Sequence, residues 1–420
     1  MIRTDNLILG AGAAGLGAAH ALRSRGEHSL IIEKSETYGG LCGNFEIDGF
    51  RFDRFVHFSF TNNPDVRVIF DSSAHEIIKH TPNPYNIYCR QWIKHPAQNN
   101  LFPLPQSEKD ELIAGFLQRK PANSPIHNYE EWLRVQYGDA FAMRFPMVYT
   151  RKYWMHEASD LRTEWVGERM YQPSVEEVIS GSKTAETPLT YYTKEMRYPA
   201  KGGYKAYLRA LGEHADIRYN AEVTRIDPKH KNVVADGEQY HYARLVSSIP
   251  LPELIKCISE VPQEVKEACD QLECTSGYHI SVALKTKHIP PYLWWYIYDE
   301  DILAARVYSP SLKSSDNAPE GCSSLQMEVY CKENAYTEQE LVDKTVGKIV
   351  EMGLIKEEDI MFTHVGFEKY VNVIFTKPIY HARKTVRDWL AQQGIETIGR
   401  FGEWDYLWSD QSLLSGLKIK

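Results

Sequence analysis

Gly10, Gly12 and Gly15 stand at G-x-G-x-x-G spacing behind the apolar run Leu7–Leu9, and the triplet Leu30, Ile31, Ile32 further on ends in an acid, Glu33. Strand, glycine turn, helix and second strand, in that order, form the setting in which such glycines bind the pyrophosphate of a dinucleotide. Gly10 permits the tight turn, Gly12 lets backbone N–H groups approach the pyrophosphate at the helix N-terminus, and Gly15 lets helix and strand pack closely. Glu33 is placed to accept hydrogen bonds from an adenosine ribose. The run Leu7 to Leu22 behind Arg3 has some of the make-up of a secretory signal, but the glycine spacing and Glu33 favour the nucleotide site.

The residues after Glu33 select among nucleotides. A nicotinamide dehydrogenase would usually continue with another βα unit, whereas here Lys34 leads to Gly39, Gly40, Leu41 and Gly43, and then to Asp53 and His57. Paired glycines allow backbone to pass close to a flat ligand. The pattern resembles the amine-oxidase-like FAD superfamily, whose members mostly carry arginine where Leu41 stands. That resemblance implies an α/β fold: a Rossmann-like FAD-binding domain of the GR2 type, an inserted helical domain and an antiparallel β-sheet substrate domain.

Four segments narrow the resemblance. Trp92–Asn100, Thr163–Arg169, Arg197–Gly203 and Gly399–Tyr406 are similar, in matching order over nearly the whole chain, to the UDP-galactopyranose mutases, and more so to the eukaryotic type. Such an enzyme breaks and re-forms the anomeric C–O bond of a nucleotide sugar, with N5 of reduced FAD as the nucleophile that holds the sugar at its anomeric carbon. The leaving diphosphate needs cations, and arginine suits it because its planar fork binds phosphate oxygens bidentately.

Residue by residue, the resemblance assigns the diphosphate to Arg306 and Arg400, with Tyr296 and Tyr406 hydrogen-bonding it. The alternative for both arginines is a surface or ion-pair role. An arginine in a glycine-flanked turn or an apolar strand favours function. His57 matches the histidine beside the flavin, the alternative being a satisfied core histidine. Arg169 is assigned to flavin or sugar, against an ion pair with Glu168 or another acid. Gln98, Trp154 and Phe60 match positions around base and sugar, Trp154 being equally readable as helical core. The cofactor set implied is Gly10, Gly12, Ala13, Ala14, Gly15, Glu33, Lys34, Gly39, Gly40, Leu41, His57, Val223 (backbone against adenine), Gly399, Arg400, Asp410, Gln411 and Ser412. Thr150 replaces a usual asparagine, His95 a common tyrosine, and Lys377 stands where a diphosphate-binding tyrosine precedes Pro378, so that Lys377 is expected to supply a point charge instead.

The elements that must position these residues divide the chain into residues 1–75 (FAD-binding, first part), 76–202 (mainly helical insertion), 203–255 (FAD-binding, second part), 256–375 (antiparallel substrate sheet) and 376–420 (FAD-binding, C-terminal part). Apolar periodicity predicts helices over 108–117, 129–137, 175–180 and 204–214. Alternation predicts strands at 279–284, 294–298, 304–308 and 325–330, with a turn at Asp236 and Gly237. At 420 residues, 43% hydrophobic and 25% charged, the chain has room for a sizeable core, and no run approaches a membrane span. A net charge of −8 gives no reason to expect nucleic acid as partner. Seven scattered cysteines without CxxC suit a cytoplasmic protein with no structural metal.

The expected substrate is therefore a UDP- or dTDP-linked sugar, with NAD(P)H a candidate external reductant and oligomerisation left open. Two other classes compete. One is a flavin oxidoreductase of the protoporphyrinogen or amine oxidase kind, with an apolar or amine substrate. The other is a non-enzymatic escort protein, which would tend to lose the cofactor glycines retained here.

Overall fold

The computed structural model describes residues 1–191 and 193–420, without the side chain of Glu168. Its first sheet is built on Ile2–Leu9, which pairs in parallel with Ser29–Ile32 on one side and Glu238–Ser247 on the other. Asp216–Arg218 extends the Ser29–Ile32 side in parallel, and Ile395–Thr397 pairs in parallel with Leu245–Ser247. Leu7 and Leu9 face one layer of core and Ile8 the other, so the central strand reads as a continuous apolar run because both faces are covered. One cover is Ala13–Ser24 packed on Ser409–Leu417; the other includes Gln263–Asp270 and Ile379–Gln392. Asp236 (φ 47°) and Gly237 (φ 73°) turn Asn232–Ala235 into Glu238–Ser247 as an antiparallel hairpin. The chain thus returns to the first sheet at its middle and again near its C-terminus.

The second sheet runs Ile360–Val373, Cys274–Leu284, Ser323–Tyr330, Arg306–Tyr308, Trp294–Ile297, Tyr85–Tyr88, Gln91–Lys94. Its pairings are antiparallel except that between Trp294–Ile297 and Tyr85–Tyr88. Two of its strands come from the stretch expected to be mainly helical. They form a hairpin turned by Cys89 (φ 50°) and Arg90 (φ 61°), whose N–H groups are held by the Asp299 carboxylate. The rest of that stretch includes the helices Gln106–Leu117, Tyr129–Tyr137, Pro146–Trp154 and Val175–Lys183. The 204–214 helix is a 3-10 turn, Tyr204–Leu208, followed by Arg209–Glu213. No helix among the described residues is long and apolar enough to cross a membrane.

The period of two along a strand gives the second sheet two unlike faces. Ile280, Val282, Val307, Leu325, Met327 and Val329 form an apolar layer under the helical segment that includes Leu341, Val346 and Ile349. The other face carries a cross-strand row: Tyr296 opposite Arg306, Arg306 opposite Glu328, Glu328 opposite His279 and His279 opposite Gly366. A neighbouring row sets Trp294, Tyr308, Gln326, Ser281 and His364 side by side. Polar and ionisable groups buried on one face of a sheet need partners from across it, and this face looks toward the glycine turn.

Candidate functional site: a cleft between the glycine turn and the second sheet

Gly10 turns at φ 93°, and the first turn of Ala13–Ser24 has no side-chain cap, so its N–H groups are available to an anion. A Cβ on Gly15 would lie 1.9 Å from the Gly10 carbonyl oxygen, while one on Gly12 meets nothing within 4 Å. The first glycine is thus needed for helix–turn contact and the second opens onto free space. Gly39 and Gly40, both at positive φ, run alongside: the Gly39 N–H donates to the Ala11 carbonyl at 2.9 Å, and a Cβ on Gly40 would sit 3.4 Å from Gly12 Cα. Gly399 closes the same turn from the far end of the chain, since a Cβ there would lie 2.5 Å from Ala14 Cβ. The Glu33 carboxylate accepts from Ala11 N–H (2.7 Å) and Ser35 N–H (2.8 Å), one bond to each oxygen, leaving lone pairs for a ribose. These residues fit a dinucleotide.

Leu41, His57 and Asp410 lead from this turn into a cleft lined also by Phe60, Tyr153, Tyr296, Arg306, Arg400, Tyr406 and Trp408. Arg306, on a strand of the second sheet, and Arg400, in the short helix Gly399–Gly402 that follows the strand Ile395–Thr397, therefore reach one space. Arg306 gives Nε (2.9 Å) and Nη2 (2.6 Å) to one oxygen of the fully buried Glu328; the other oxygen accepts the Val56 N–H at 2.9 Å. Arg400 gives Nε to the Leu407 carbonyl (2.7 Å) and Nη1 to the Val371 carbonyl (2.8 Å). Among the described residues no carboxylate pairs with Arg400, and neither Nη1 of Arg306 nor Nη2 of Arg400 makes a hydrogen bond. Each arginine is oriented by its bonded edge and keeps a free donor.

Two tyrosines join them. Tyr153 and Tyr406 share a hydroxyl hydrogen bond of 3.2 Å, with Arg306 over the Tyr153 ring (5.9 Å) and Arg400 over the Tyr406 ring (5.7 Å). His57 stacks near Tyr204 at 5.0 Å, its Nδ1 3.2 Å from the Phe55 carbonyl. Burial pushes its imidazole down to about 4, aided by Lys313 and Arg400 against the pull of Asp53, so it is neutral at ordinary pH. Phe60 meets Trp408 edge-on at 4.4 Å.

Other sequence candidates lie elsewhere. Trp154 is core, 5% exposed, packed edge-on against Trp165 and behind Tyr406, and it does not line the cleft. Arg169 donates to the Trp165 and Tyr406 carbonyls and lies over the Tyr406 and Trp408 rings, so it supports the cleft wall from outside; its candidate partner Glu168 lies outside the described side chains. The Gln98 side chain is buried on the Tyr171 carbonyl, away from the cleft. Lys377 is exposed in the turn before Ile379–Gln392 and does not line the cleft, because the buried Phe375 and Thr376 hold that turn facing outward. Lys34 is exposed, and Val223 opens a strand paired with Asn232–Ala235. Gln411 caps the Trp408 N–H, and Ser412 is buried in the first turn of Ser409–Leu417. Thr150 back-bonds to the Pro146 carbonyl within its helix, and His95 Nδ1 lies 3.1 Å from Asn86 Oδ1, its ring tilted on Tyr296.

Sequence reading missed Glu328, Tyr153, Arg54 and Trp408. Glu328 was legible in one respect: a lone acid in the fully buried, alternating strand Ser323–Tyr330 demands a buried cation. It also missed the fully buried Lys313–Asp53 pair behind His57, where Asp53 additionally accepts Tyr198 Oη (2.7 Å) and the Tyr204 N–H (2.9 Å).

A family model described as "NAD(P)-binding Rossmann-like domain" matches residues 8–73. The chain is 24% identical over 249 residues to phytoene desaturase of Fusarium fujikuroi, covering 52% of this chain and 43% of that one. It is 30% identical over 86 residues to all-trans-retinol 13,14-reductase of Danio rerio, covering 20% of this chain and 14% of that one. It therefore spans less than half the length of these curated relatives. Among solved structures, that of reduced UDP-galactopyranose mutase superposes with a TM-score of 0.93 at 23% identity, covering 99% of this chain and 94% of that one. The chain has the fold of that mutase, with a Rossmann-like start and a separate, mostly antiparallel sheet.

Proposed function

We propose that the protein is a flavin-dependent nucleotide-sugar mutase, interconverting pyranose and furanose forms of a UDP- or dTDP-linked sugar in the cytoplasm, with NAD(P)H as reductant. One observation supports this most: two guanidiniums, Arg306 from a strand of the second sheet and Arg400 from the short helix Gly399–Gly402, each oriented by its own bonds and each keeping a free nitrogen, line one cleft across a hydroxyl-bonded tyrosine pair. Such a pair matches a diphosphate, which offers oxygens on two phosphorus atoms. When bound, reduced FAD would supply the nucleophile at the anomeric carbon.

The chain's own part is binding and orientation. Arg306 and Arg400 stabilise charge on the departing diphosphate and keep it from diffusing away. Tyr153 and Tyr406 offer hydroxyls beside them, and Tyr296, opposite Arg306 in its strand pair, narrows the cleft against water. A neutral His57 adds no competing charge, and with Nδ1–H donated to the Phe55 carbonyl its Nε2 is left as an acceptor.

Titration of the dithionite-reduced protein with UDP, dTDP and their galactose conjugates, followed by flavin fluorescence, tests the reading. The expected result is saturable tightening by a nucleoside diphosphate that Arg400→Ala abolishes. The similarity to phytoene desaturase and retinol reductase favours a second reading, a flavin oxidoreductase with an apolar substrate. No response to any nucleotide from a flavin-loaded protein selects that one.

A further inference from the structure

Three guanidiniums line the cleft, and Arg54 differs from the other two. It follows directly on the strand Phe50–Asp53, and its N–H donates to the Gly43 carbonyl at 3.0 Å, which fixes it beside the Gly39–Gly43 loop. Its side chain runs across Gly43: a Cβ there would lie 3.8 Å from Arg54 Nε and 4.0 Å from Cδ. Glu328 occupies one edge of Arg306, and two carbonyls occupy Arg400. Arg51, on the same strand as Asp53, is committed to Glu46 and Asp316. Among the described residues no side-chain N–H of Arg54 makes a hydrogen bond. Its acidic neighbour is Glu368, with Oε1 3.3 Å from Nη1, in an ion pair whose arginine is 33% exposed.

A guanidinium held at its base, engaged at its fork only by the 3.3 Å ion pair with Glu368 and exposed to a cleft is placed to take an anion. The position along the cleft says which anion. Arg54 lies against the loop whose Gly39 and Gly40 pass beside Gly12, at the dinucleotide end and next to the uncharged Leu41. Resting on the flavoenzyme reading above, we propose that Arg54 binds a phosphate of the dinucleotide seated on this turn, exchanging its loose contact with Glu368 for a bidentate one. The planar fork supplies two parallel N–H donors, the geometry that phosphate oxygens accept.

The experiment strips the purified protein of flavin and titrates it with FAD, and in parallel with riboflavin, following quenching of flavin fluorescence. Arg54→Ala is expected to weaken FAD by about tenfold or more, the usual scale for a lost charge-assisted contact. Arg54→Lys should fall between, because an ammonium keeps the charge without the fork. Riboflavin affinity and the thermal midpoint of the stripped protein should be unchanged. If Arg54→Ala does not fold, Arg54→Gln, which keeps most of the stem, replaces it. Equal FAD affinity in wild type and variant overturns the proposal, as does an equal loss for riboflavin, which carries no phosphate. Failure of the wild type itself to bind FAD would instead overturn the flavoenzyme reading on which the proposal rests.

Discussion

Arg306 and Arg400 carry the same charge into one cleft but are supported in opposite ways. Arg306 leans on the fully buried Glu328, whereas Arg400 hangs from backbone carbonyls and, among the described residues, pairs with no carboxylate. Removing either takes away a charge-assisted donor to diphosphate, so Arg306→Ala and Arg400→Ala should each weaken nucleoside diphosphate binding by about 2 kcal/mol or more. Flavin fluorescence titration of the reduced protein checks this, and unchanged affinity in both would remove the site assignment. Lys313 and Asp53 present a different case, being 0% exposed on both sides and not lining the cleft. Lys313→Met would leave the Asp53 charge buried without its cation, at a cost of about 3–5 kcal/mol. A thermal midpoint within a degree or two of wild type would contradict that.

At the scale of elements, the glycine turn makes two predictions of opposite sign. Gly15→Ala drives a methyl into the Gly10 carbonyl and must separate helix from strand, lowering the stability of the flavin-free protein. The Cβ of Gly12→Val would have no protein atom within 4 Å, so the flavin-free melting temperature should stay near wild type while FAD binding is lost. Calorimetry and flavin content of the two purified variants separate them; a flavin-loaded Gly12→Val protein would contradict the role given to this turn. These elements were legible in the sequence because their signals are local: glycine spacing, an apolar run, an acid at a strand end. The hairpin of Tyr85–Tyr88 and Gln91–Lys94 was not, since Cys89 and Arg90 take the left-handed turn that Asn-Gly or Asp-Gly normally announces. Nor was the link from Glu328 to Arg306 and Val56 legible, because it exists only once two strands and a loop lie in register. Trp154 illustrates the converse: its motif position suggested a pocket, and packing against Trp165 placed it in the core.

Across the whole molecule, the cleft lies between a sheet that turns on glycines and a sheet whose inner face is polar. The cost of burying polar groups on and around that face appears in three histidines. Burial holds His57 at about 4, His95 at about 3 and His279 at about 3, the last with His364 and Arg54 adding to the depression. Their folded values lie below the unfolded 6.5, so the unfolded chain binds more protons in between. Stability should therefore fall as pH drops below about 6.5 and level off only below about 3 to 4. Melting curves across that range check it, and His279→Phe should flatten the slope; a midpoint independent of pH between 6.5 and 4 would contradict the burial of all three.

The central claim is ring interconversion without net redox change. The most direct test incubates the reduced protein with UDP-galactopyranose, separates the products and measures NAD(P)H consumed. The account predicts UDP-galactofuranose formed over many turnovers, with reductant used only to prime the flavin. No furanose product, together with stoichiometric oxidation of NAD(P)H against an apolar polyene, would contradict it.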